Sequence, residues 1–119
     1  EPVRRLVLKR HKTMFRRNSI MKKTFLILYK PGPAWIPGRH IFDQPLQAHG
    51  EYTQKHYFEG KVRMAGPFLD SSGGASLLEV EGGEAEARSI AENDPAVKAG
   101  LFTFTVFPWH LVSWENYGK

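Results

Sequence analysis

The chain has 119 residues, 41% of them hydrophobic and 24% charged, which suits one folded domain and is short for two. It has no cysteine, which excludes disulfides, thiolate metal sites and cysteine nucleophiles and fits a reducing, cytoplasmic setting. Its net charge of +5 is uneven: residues 1–20 hold seven Lys and Arg against Glu1, while 21–119 hold ten basic and eleven acidic residues.

The body therefore has no basic stripe to follow a phosphate backbone, and no nucleic-acid partner is expected of it. No apolar run approaches the roughly 20 residues of a membrane-spanning helix, so no membrane partner is expected either. Residues 1–20 can be read as an arm for nucleic acid or an anionic surface, as an Arg-rich targeting segment, or as an extension upstream of the domain. The last is the expectation, because Met21-Lys22-Lys23 stands directly before the first strand; Met14 is a second possible start. The domain is then 21–119.

Thr24 to Tyr29 is a short apolar run flanked by charge and predicts a buried strand. Lys30 to Gly38 holds three prolines and two glycines, so it predicts a loop, with Trp35 either closing the core or walling an apolar pocket. A helix is expected to open near Asp43, as its cap, with Pro45 in the first turn and Gly60 as the stop. Leu46, His49, Thr53, His56 and Tyr57 recur at spacings of three and four along one side. Lys61–Ala65 predicts a strand ending at Gly66-Pro67, and a turn-rich Phe68–Gly74 leads into a strand over Ala75–Val80. Glu84–Asn93 predicts a helix, ended by Asp94-Pro95 because a residue before proline avoids helical angles. Leu101–Phe107 alternates as a final strand, and an aromatic-rich tail over His110–Lys119 is available to pack across a partner.

The order β-α-β-β-α-β predicts a ferredoxin-like α+β fold, two helices on one face of a four-stranded antiparallel sheet. The other face lacks a cover. With Phe102, Phe104, Val106 and Leu78 expected to supply apolar surface there, a second copy is the natural partner and a homodimer is expected.

Neither Gly73-Gly74 nor Gly82-Gly83 has the Lys-Ser or Lys-Thr ending of a phosphate-cradling loop, and Ser71 and Ser72 lack a nucleophile elbow. His49 and His56 stand too far apart for the i,i+4 pairing of helical zinc motifs, and His40 and His110 are isolated. No metal site and no cofactor are expected.

His49, Gly66-Pro67, Asp70, Asp94-Pro95 and Gly100, in this order and followed by the strand ending at Pro108-Trp109, resemble the YCII-related (YciI-like) family over about residues 22–114. Two departures are the basic extension and Ala96, which follows the Asp-Pro where many relatives carry an aromatic residue. The resemblance implies a dimeric α+β barrel and a His/Asp active site, pointing at His49 with Asp94, Asp70 or both.

A carboxylate that orients one nitrogen of His49 leaves the other free to move a proton. The expected pocket is walled by Trp35, Phe68 and Trp109, with Gly66 and Pro67 among its residues. The competing account has His49 hydrogen-bonded beneath a loop, Asp94 capping or ending a helix and Asp70 making a hairpin turn. Two functions follow. One is a small-molecule enzyme of lyase, isomerase or hydrolase type without a redox cofactor, acting on a compact cyclic or aromatic compound; the other is a non-catalytic metabolite-binding or regulatory module using the same pocket.

Overall fold

A computed structural model describes residues 22–119. The basic segment 1–20 and the start at Met21 lie outside the described residues. Four strands, β1 (Lys23–Pro31), β2 (Val62–Pro67), β3 (Gly74–Val80) and β4 (Phe102–Pro108), form one sheet in the order β2-β3-β1-β4. Every neighbouring pair is antiparallel. With helices α1 (Gln47–Phe58) and α2 (Gly83–Glu92) in the two crossovers, this is the ferredoxin-like arrangement. A one-turn helix, α3 (Pro95–Lys98), precedes β4.

Strand alternation decides what the sheet buries. Phe25, Ile27 and Tyr29 of β1 point to the same side as Leu78 and Val80 of β3 and Phe102 and Val106 of β4, and Ala87, Ile90 and Ala91 of α2 pack on them. The apolar residues expected on the uncovered face, Phe102, Phe104, Val106 and Leu78, thus belong to the helix-covered core. The face that no helix among the described residues covers takes the opposite phase. Leu77, Leu26 and Phe107 sit side by side across β3, β1 and β4, and Met64 of the edge strand β2 pairs with Leu77.

Helix α1 opens later than Asp43, which sits instead in a 3-10 turn over Ile41–Asp43. Gln44 precedes Pro45 and is held extended, at ψ 152°, which separates the turn from the helix. The helix starts after Leu46 without a side-chain cap. The buried Gln44 amide accepts from the Ile36 N–H at 2.9 Å and donates to the carbonyls of Ile36 and Arg39, so it fastens the proline-rich loop to this turn. Asp94 ends α2, as its place before proline predicts, and also caps α3, accepting from the Ala96 N–H at 2.9 Å with Pro95 in the first turn. Ala96 is itself buried in the core.

Candidate active site

The first crossover places His49 in the first turn of α1, and the second places Asp94 at the α2–α3 junction. Both helices lie on the same side of the sheet, and the two side chains meet there: Nδ1 of His49 is 2.7 Å from Oδ2 of Asp94. Asp94 is 1% exposed and the His49 side chain 20%, so the carboxylate is sealed behind an imidazole that still reaches solvent. Oδ1 of Asp94 takes the Ala96 amide and Oδ2 faces the imidazole, so neither oxygen is left without a partner. A carboxylate bound in this way calls for the proton of His49 on Nδ1, which leaves Nε2 as the nitrogen able to accept one.

Two aromatic rings fix the imidazole plane. Tyr29 and Phe102 stand edge-on to it, with centroids at 5.4 and 5.3 Å. Burial, and after it the charge of Asp94, push the Tyr29 phenol well above its ordinary value; the Ser76 hydroxyl pulls the other way and Tyr52 adds a smaller push. Tyr29 therefore stays a neutral hydroxyl beside the dyad. Tyr52 is also raised, by burial first and then by Asp94 and Glu59, and its hydroxyl donates to the Ile90 carbonyl at 2.8 Å, tying α1 to α2.

A cleft of about 880 Å³ opens in front of His49, between α1, the 3-10 turn and the β2–β3 end of the sheet. Leu46, His49, Thr53 and Tyr57 from the predicted helix side line it, and so do Gly66 and Pro67. His56 does not, since its Nδ1 engages the Tyr52 carbonyl at 2.9 Å. The other expected wall residues lie elsewhere. Trp35 stacks at 5.5 Å on Phe102 at the margin of the core, and Phe68 is exposed on the hairpin. Trp109 borders a separate hollow with Lys22, Lys23 and His110.

Asp70 is also apart from the cleft. It sits in the β2–β3 turn with Oδ1 accepting from the Ser72 amide at 3.0 Å and hydroxyl at 2.6 Å, and these bonds, the hydroxyl's first, lower its pKa. Next to it, Ser71 adopts a left-handed φ of 65° and its hydroxyl accepts from the Ile41 N–H at 3.0 Å, pinning the hairpin tip to the 3-10 turn. Among the cleft residues that the sequence pattern left unmarked are Tyr29, Gln47, Gly50, Gln54 and Ser76. A tyrosine, with its polar hydroxyl, at the end of an otherwise apolar run was the available signal for the first. Among the described residues no group of three metal-ligating side chains comes together, and no helix is long and apolar enough to cross a membrane.

The family model for the YCII-related domain matches residues 23–110. The chain is 36% identical over 66 residues to the uncharacterized protein YjpA of Bacillus subtilis (strain 168), covering 56% of this chain and 76% of YjpA. Among solved structures it is similar to 5-chloro-2-hydroxyhydroquinone dehydrochlorinase (TftG) from Burkholderia phenoliruptrix AC1100, in complex with 2,5-dihydroxybenzoquinone. That match has a TM-score of 0.59 and 31% identity over 75% of this chain and 95% of the other.

Proposed function

The chain belongs to the YCII-related domain family, and from that premise we propose that it is a small-molecule enzyme in which His49 moves a proton and Asp94 orients it. The observation that carries this reading is the 2.7 Å contact between a buried carboxylate and a half-buried imidazole at the wall of a cleft. Asp94 holds the imidazole in one tautomer and stabilises the imidazolium that forms when Nε2 takes a proton from an O–H or C–H of the ligand. The proton then returns to another atom of the same molecule or leaves with a departing group, which is isomerase or lyase chemistry. Hydrolysis follows if His49 activates water instead. The neighbour's description as a dehydrochlorinase favours the lyase form for a compact cyclic compound.

The protein is proposed to work in the cytoplasm as a homodimer closed over the apolar sheet face described above. Asp70 has no part in this proposal, because its one bonded oxygen serves the hairpin turn.

The test needs no substrate. Imidazole 15N spectra of the wild type should show His49 protonated on Nδ1, and Asp94→Asn, whose amide can donate to Nδ1, should shift the proton to Nε2. A wild-type His49 carrying its proton on Nε2 would remove the orienting role of Asp94. Once a substrate is in hand, His49→Gln should abolish turnover while affinity stays within about tenfold, because interactions specific to the transition state are lost. Collapse of affinity instead would mark a binding module.

A further inference from the structure

The cleft's chemistry says what sort of molecule it accepts, given the reading of His49 as the proton-moving group. Among the described residues, no Lys, Arg, Asp or Glu lines it. Asp94 stands behind His49 and is sealed from solvent. A ligand carboxylate or phosphate entering this space would shed water without meeting a lysine or arginine. The polar side chains that α1 contributes, Gln47, Thr53 and Gln54, suit neutral hydroxyl and carbonyl groups.

Gly50 supplies an independent observation. It lies inside α1, directly after His49, and its N–H donates to the Leu46 carbonyl at 3.0 Å as any helical residue would. Its φ is not positive, and a Cβ built on it would meet nothing within 4 Å. Neither backbone conformation nor packing asks for glycine, although glycine weakens a helix interior relative to alanine. The space its missing side chain leaves belongs to the cleft. Gly66, on the β2 wall, likewise lines the cleft and has open space at its Cβ position.

We propose that the cleft binds an uncharged ring compound, free of carboxylate and phosphate, whose edge occupies the space Gly50 leaves open beside His49. The bare helix surface lets a flat ring lie close enough for a ring hydroxyl to meet Nε2. Ligands with a fixed anionic substituent are disfavoured, since among the described residues no Lys or Arg lines the cleft to receive it.

Two probes that differ by one carboxylate test this, hydroquinone and 2,5-dihydroxybenzoate, each titrated into the full chain while the His49 ring resonances are followed. Hydroquinone should move them and bind at least about tenfold more tightly, since the second probe must bury an unpaired carboxylate. Gln54→Lys, which brings a cation to the wall, should narrow that gap. Gly50→Ala should melt a few degrees higher, from its better helix propensity, yet bind hydroquinone at least about fivefold more weakly because the added methyl fills ligand space. Equal or tighter binding of the carboxylated probe would overturn the charge exclusion. Unchanged hydroquinone affinity in Gly50→Ala, or a lower melting temperature, would overturn the role given to Gly50. No His49 response to hydroquinone at millimolar concentration would overturn the ring-ligand assignment. The tautomer of His49, measured without ligand, judges the dyad separately.

Discussion

Asp94 serves two structures at once, and this joins the site's geometry to the fold. One oxygen caps α3 and the other holds His49, so the carboxylate cannot turn toward one partner without giving up the other. Tyr29 depends on the same charge, being raised by burial first and by Asp94 next. The consequence for stability has a definite sign. An unfolded tyrosine ionises near pH 10, whereas Tyr29 in the fold holds its proton to higher pH. Its contribution is therefore fully present below about pH 10 and declines as pH rises beyond that value. Urea unfolding at pH 9 and pH 11 should show a larger loss of stability in the wild type than in Tyr29→Phe. Equal losses would place the alkaline sensitivity elsewhere.

At the scale of elements, α1 is unusual in having no fully buried residue. It is held by the His49–Asp94 contact, by the Tyr52 hydroxyl on Ile90 and by partly buried Leu46 and Tyr52 at the edge of the core. A helix seated this way leaves room beneath it, and that room is the cleft. The 3-10 turn beside it is tied down by Gln44 from one side and Ser71 from the other. Ser71→Ala should cost about 1 kcal/mol, the net worth of one hydrogen bond, while the left-handed backbone strain remains. Ser71→Gly loses the same bond but relieves that strain, so it should be the less destabilising of the two in chemical denaturation. The reverse order would mean that the serine backbone is not strained there.

For the whole molecule, the decisive feature is the apolar row across the sheet face that the helices leave open. Leu77, Leu26 and Phe107 are register neighbours, and Phe107 is 43% and Met64 65% exposed in a single chain. Exposed apolar patches of this kind tend to mark interaction surfaces, which is why the proposed dimer is placed here. Leu26→Asp places a charge at its centre, and if the wild type is the proposed dimer, light scattering should report a monomer for this variant. Because Leu26 points away from the core side of β1, the His49 tautomer should survive the change. A wild type that is monomeric at micromolar concentration would remove the dimer from the proposal.

The sequence by itself determined the element order, because helix and strand periodicities differ and prolines and glycines mark the breaks between them. It also placed His49, Thr53 and Tyr57 on one helix side, since spacings of three and four need no knowledge of the partner surface. Asp94 as the end of a helix was legible from Asp-Pro alone, but the short helix α3 that it caps was not. Three things awaited the tertiary structure. Which phase of each strand faces the helices could not be read where both phases are apolar, as in Phe102, Phe104 and Val106 against Leu101 and Phe107. The choice of Asp94 over Asp70 beside His49 depends on two crossovers packing side by side, a contact 45 residues apart in the chain. The cleft is emptiness between elements, and a local pattern of residues records what a segment buries, not what space it leaves open.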